Sequence, residues 1–95
     1  MAQSDFELNG EVEIFPGKGG WHFVRVPQEY TDLTKDLADR GLVAITATCG
    51  GTSWDTSLLP YGDGSTFIAL PAKVRKSEEI NLGDSVELSF TLRQR

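Results

Sequence analysis

The last stretch of the chain constrains the fold most: Val86, Leu88, Phe90 and Leu92 alternate without a break with Ser85, Glu87, Ser89, Thr91 and Arg93. A period of two puts every second side chain on one face of an extended strand, so this segment needs an apolar layer on one side only. The opening stretch repeats the pattern. Phe6, Leu8, Gly10, Val12 and Ile14 occupy the even positions, and Glu7, Asn9, Glu11 and Glu13 the odd ones. Gly10 contributes no side chain to its row, as expected where a sheet bulges or bends to curl into a barrel.

Between these ends the chain reads as short strands and turns. Pro16-Gly17-Lys18-Gly19-Gly20 is turn chemistry, followed by an aromatic, β-branched strand from Trp21 to Val26 that Pro27 stops. Leu33, Leu37 and Ala38 fall at helical spacing, which predicts a short helix between Tyr30 and Arg40, with Thr31 or Asp32 as its cap and Gly41 just past its end. Such a helix is marginal alone and is expected to plug an open end of the sheet beside Tyr30. Leu42 to Cys49 predicts a third strand with both faces covered, and Ser53 to Leu59 a fourth after the Gly50-Gly51 turn. Asp63-Gly64 predicts a two-residue hairpin with positive φ at both positions, leading into a fifth strand from about Ser65 to Leu70. After Pro71, the segment Ala72 to Glu79 predicts a second helix, and Leu82-Gly83 a turn into the last strand.

Six short strands with little helix to cover them favour a mainly β protein. The predicted architecture is a small closed antiparallel barrel of Greek-key type, with six or seven strands and two short helices. At 95 residues the expectation is one domain over residues 1–95. A net charge of −5 argues against nucleic acid and anionic membranes as partners. One cysteine, and an N-terminus without the pattern of a signal peptide, lead to the expectation of a reducing cytoplasm. No apolar run is long enough to span a bilayer.

The run Trp54-Asp55-Thr56-Ser57-Leu58-Leu59-Pro60-Tyr61-Gly62-Asp63-Gly64, then Leu70-Pro71, Val74-Arg75-Lys76 and Ile80 to Val86, resembles an uncharacterised family of small bacterial and archaeal domains. That family is a domain of unknown function, found alone or fused to a module named for bacteriocin protection. The likeness extends upstream through Gly20-Trp21-His22-Phe23-Val24 and Val26-Pro27 to Phe6, and it implies a closed Greek-key barrel without an established activity. The segment Leu70 to Val86 also resembles, locally, the core of swapped-hairpin transcription regulators of the AbrB type, which bind DNA as dimers through basic residues.

No catalytic, metal or cofactor signature stands out. His22 lacks partners at ligand spacing and reads as structural, Cys49 lies on an apolar strand face and reads as a buried thiol, and the glycine-rich stretches match neither phosphate-loop nor dinucleotide spacing. Two groups carry weak binding signals. Lys73, Arg75 and Lys76, joined by Arg25, can hold an anion, against the plainer reading of a solvated helix face balanced by Glu78 and Glu79. Trp21, Trp54 and Tyr61 with Asp55 can line a pocket, against the plainer reading of core aromatics. The leading expectation is therefore a non-enzymatic barrel, without cofactor, that binds a small molecule or a protein partner at the rim marked by Trp21, Arg25, Trp54, Asp55, Tyr61, Lys73 and Arg75. Two alternatives are kept: an AbrB-like regulator, and a small hydrolase using Asp55 or Asp63 as acid or base.

Overall fold

A computed structural model describes residues 6–15, 20–38 and 41–93. The predicted turn over Pro16 to Gly19 lies outside the described residues. The elements in order are β1 (Phe6–Glu11), β2 (Glu13–Ile14), β3 (His22–Arg25), α1 (Gln28–Thr34), β4 (Val43–Cys49), β5 (Thr52–Pro60), β6 (Thr66–Ala69), α2 (Ala72–Ser77) and β7 (Ser85–Leu92).

The strands hydrogen-bond in the order β1-β7-β4-β5-β6-β3-β2, and every pairing is antiparallel. Within it, β7 lies beside β4, and β4, β5 and β6 follow as consecutive neighbours, which is the Greek-key arrangement. The two strands at the ends of that order, β1 and β2, are halves of one extended segment divided at Val12. At the division Val12 donates its N–H to the Asp84 carbonyl at 2.8 Å and accepts from Gly83 N–H at 3.0 Å. The first half pairs with β7 and the second with β3, so the sheet returns on itself as a nearly closed barrel.

Alternation places the core as expected. Leu8 and Val12 from the first row, Val43, Ile45 and Ala47 from β4, Leu58 from β5, and Leu88 and Phe90 from β7 are all buried. The opposite face of β4, with Ala44, Thr46 and Thr48, is only half-buried, so that strand is not covered on both sides. Ile14, the last member of the first row, is 41% exposed.

A second apolar cluster lies on the outer face of the barrel wall. Val24 and Ile68 are paired across β3 and β6 and belong to the inner core, so Phe23 and Phe67 point the other way, yet both are buried. Their rings sit 5.2 Å apart, Phe15 covers them at 4.5 and 4.9 Å, and Tyr61 stacks on Phe15 at 5.3 Å. Aromatic side chains bury enough area for such a cluster to stabilise the wall from outside.

The first helix differs from its predicted form. It begins at Gln28, with Tyr30 and Thr31 donating backbone N–H bonds to the Pro27 carbonyl, and passes into a 3₁₀ turn over Lys35–Leu37. Neither Thr31 nor Asp32 caps it; Pro27 holds the cap position and no side chain bonds there. Its buried residues are Thr31 and Thr34, while Leu33 and Leu37 are 68% and 57% exposed. The reason is how the helix is pinned. Tyr30 meets Phe6 edge-on at 4.9 Å and donates its hydroxyl to the Glu7 carbonyl at 2.8 Å, while the Thr31 and Thr66 hydroxyls bond at 2.7 Å. Those contacts fix the rotation of the helix and turn the threonines inward. Gly41 adopts the expected left-handed conformation, φ +83°.

The hairpin between β5 and β6 is wider than the two-residue turn predicted from Asp63-Gly64. Tyr61 N–H bonds the Ser65 carbonyl at 3.0 Å, and the positive φ values fall on Gly62 (+109°) and Gly64 (+93°), with Asp63 between them. Asp63 instead uses its carboxylate, accepting from Ser65 N–H at 3.0 Å and from the Ser65 hydroxyl. The second helix ends at Ser77, short of Glu79, which takes a left-handed φ of +54°.

Candidate functional site

The end of β6 and the start of β3 meet α2 at one rim of the barrel. Leu70 donates its N–H to the His22 carbonyl at 2.9 Å, which carries the ladder one residue past β6. Pro71 then holds the cap position of α2 in an extended conformation, and its carbonyl accepts the helix's first backbone bond from Arg75 N–H at 3.0 Å. One turn on, Arg75 reaches back and donates Nε to the Leu70 carbonyl at 3.1 Å. Trp21 stands just before β3 and is 54% exposed.

These residues enclose a cleft of about 310 Å³, lined by Gly20, Trp21, His22, Ala69, Leu70, Pro71, Ala72 and Arg75. Its lining is largely apolar, and Trp21 and Arg75 bring an indole and a guanidinium side chain to it. No hydrogen bond or ion pair engages the terminal nitrogens of Arg75 among the described residues. His22 Nδ1 is buried and lacks a hydrogen-bond partner among the described residues. Ala72 and Arg75 also bound an adjoining concavity of about 410 Å³, lined further by Lys76, Glu79, Ile80 and Asn81.

The remaining sequence candidates sit elsewhere. Arg25 lies over the Tyr61 ring, 4.1 Å from its centroid, and pairs with Glu13 at 3.1 Å, so its charge is already engaged. Tyr61 belongs to the outer aromatic cluster. Trp54 packs partly buried against the inner core, with its indole Nε1 buried and unpartnered among the described residues. Asp55 is exposed, accepts from the Thr46 hydroxyl at 2.8 Å and lies 3.9 Å from Arg93 Nη1. Lys73 is exposed on α2 and does not line the cleft. Of the seven residues singled out from the sequence, the fold thus brings together Trp21 and Arg75. His22, Leu70 and Pro71, which belong to the runs that carry the family resemblance but were not singled out as binding residues, join them. The available signal was proximity in the chain, His22 adjoining Trp21, and Leu70-Pro71 preceding Arg75 by one helical turn.

Another concavity, about 580 Å³, runs across the outside of β1, β7 and β4 and is lined by polar groups including Glu7, Asn9, Thr48, Glu87 and Ser89. These are the solvent rows of their strands. Burial, reinforced by the nearby Glu78 carboxylate, pushes the Cys49 thiol up, which keeps it protonated and unreactive. Among the described residues no three His, Cys, Asp or Glu side chains gather as a metal site, and no helix is long and apolar enough to cross a membrane.

Comparison with known families gives a match over residues 9–90 to a domain of unknown function (DUF1905), and the chain belongs to that family. No curated protein matches it.

Proposed function

We propose that this member of the DUF1905 family is a non-enzymatic binding barrel that holds a small ligand in the cleft between Trp21 and Arg75. The observation that carries the reading is the half-exposed Trp21 beside a guanidinium whose terminal nitrogens are unengaged, in the lining of an apolar cleft of about 310 Å³. A bare indole in water forgoes the stabilisation its area offers, and the cleft volume matches the lower range of small-molecule sites. The lining supplies binding groups, an aromatic face, a cation and apolar walls; His22 is the one side chain in it that can act as a base, and no carboxylate, thiol or hydroxyl lines the cleft beside it as a nucleophile or an orienting partner. The three cations of α2 support too few phosphate contacts to offset the net charge of −5, which favours this reading over a DNA-binding regulator.

The test is a fragment titration followed by amide chemical shifts in ¹⁵N-labelled protein. Hits should perturb residues 20–22 and 69–75 and lose their effect in Trp21→Ala, an exposed position whose change leaves the core intact. A broad library that leaves those amides unmoved, or hits that persist unchanged in Trp21→Ala, would remove the cleft as the site.

A further inference from the structure

We infer that the ligand of this cleft is an aromatic carboxylate, its ring against Trp21 and its carboxylate on the end of Arg75, a conclusion that rests on the cleft reading above. Three observations lead there. The first is continuity: the Trp21 cleft and the neighbouring concavity share Ala72 and Arg75, so a ligand lying along the indole meets the guanidinium as it passes from one to the other.

The second is the state of the charges. Arg25 and Arg93 lie within ion-pair distance of Glu13 and Asp55, whereas Lys73, Arg75 and Lys76 have no carboxylate within ion-pair distance among the described residues. Glu78, which the sequence places beside them, instead accepts from the Thr52 hydroxyl and fills the space next to Gly50. The adjoining concavity carries Arg75 and Lys76 against one carboxylate, Glu79, and so balances a single negative charge. A polyphosphate would leave most of its charge uncompensated there.

The third is geometry at the guanidinium. Nε is held by the Leu70 carbonyl, so the two terminal amino groups remain and present the planar fork that a carboxylate matches with two parallel bonds. The largely apolar lining, with Leu70, Pro71 and the indole, suits a ring in preference to a sugar.

The experiment compares four probes on the full chain by amide chemical shifts: benzoate, benzamide, acetate and phenyl phosphate. Benzoate should perturb residues 20–22 and 69–76 and bind about tenfold more tightly than benzamide, the ratio one charge-assisted hydrogen bond supports, and more tightly than acetate, which keeps the carboxylate but lacks the ring. Arg75→Lys should remove most of that advantage, and Lys76→Ala should weaken benzoate while reducing its salt sensitivity. Benzamide equal to benzoate at the same amides would overturn the carboxylate assignment and leave the cleft reading standing. Phenyl phosphate bound more tightly than benzoate would also overturn it, in favour of a dianionic ligand, as would benzoate binding unaffected by Arg75→Lys. No shift from any aromatic probe at residues 20–22 would count against the cleft itself.

Discussion

Gly10 of β1 and Val24 of β3 meet where the barrel closes, so tightly that a Cβ on Gly10 would run into Cγ1 of Val24. Val24 is fully buried and cannot give way outward. The glycine is needed for space, since its φ lies outside the left-handed region. Gly10→Ala should therefore destabilise by about 1–3 kcal/mol, the usual cost of overpacking. In a double-mutant cycle measured by denaturant unfolding, adding Val24→Ala should recover part of that cost. Strict additivity of the two changes would show that the strands are not in contact.

Gly62 and Gly64 answer to the opposite cause. A Cβ at either would meet nothing within 4 Å, but both residues have positive φ, +109° and +93°. Gly64→Val should lower the melting temperature through backbone strain of about 1–2 kcal/mol, and Gly64→Asn should cost less because asparagine tolerates that region. Equal melting temperatures for wild type and Gly64→Val would refute the turn geometry.

The barrel was legible because its signal is periodic and local. The rows beginning at Phe6 and at Val86 gave the faces of β1 and β7, and Gly10 pointed to the closure, although which strand it would touch depends on Val24, which lies far along the chain. What was hidden depended on contacts between distant residues. The outer cluster of Phe15, Phe23, Tyr61 and Phe67 needs β3 and β6 side by side, and although Phe23-Val24 and Phe67-Ile68 put apolar residues on both faces of their strands, nothing local says what covers the outer face. Trp21 and Arg75 likewise meet only because Leu70 bonds the His22 backbone. The charge of Arg25 alone suggests an anion site, and its engagement by Glu13 and Tyr61 depends on strands that are distant in the chain.

The inverted helix α1 yields a direct prediction. Tertiary pinning by Tyr30 and the Thr31–Thr66 bond has overridden the apolar spacing that marked Leu33 and Leu37 as core. Leu33→Glu and Leu37→Glu should each change stability by no more than about 0.5 kcal/mol, as surface substitutions do. Thr34→Leu, by contrast, places a larger apolar side chain at a site that is 1% exposed, where the hydroxyl bonds the Tyr30 carbonyl at 2.8 Å. It should destabilise by about 1–3 kcal/mol through overpacking. A reversed ranking in thermal melts would restore the leucines to the buried face.

Outside the barrel, Phe23 should behave as a core residue. It is 1% exposed and touches Phe15, Tyr61 and Phe67, so Phe23→Ala should cost about 3–5 kcal/mol, as other buried phenylalanines do. Removing the neighbouring Arg25 should matter far less. Its bond to Glu13 is between side chains that are each about two-fifths exposed, where ion pairs contribute about 0–1 kcal/mol. Urea midpoints for Phe23→Ala and Arg25→Ala test the ranking, and a similar loss in both would mean that the cluster is held by the cation instead of by ring burial.

The wide hairpin should carry a pH signature. The Ser65 hydroxyl and then the Ser65 N–H donate to the Asp63 carboxylate and hold its pKa below the ordinary carboxylate value, with the Arg25 charge adding a smaller push in the same direction. The unfolded chain therefore binds this proton more readily than the folded one. It follows that the contribution is present above the ordinary value of about 3.9 and is lost as pH falls through the lower folded value. Asp63→Ala should have a lower melting temperature than wild type near neutral pH, and the gap should close as the solution is acidified below about pH 4. Ser65→Ala should show the same closing gap, because it removes the donor that lowers the pKa most. The carboxylate is exposed, so the effect is small and should be read as the difference between paired melts, which cancels the general acid destabilisation common to both proteins. A gap that stays constant through the acid range would show that the Asp63–Ser65 bonds do not depend on ionisation.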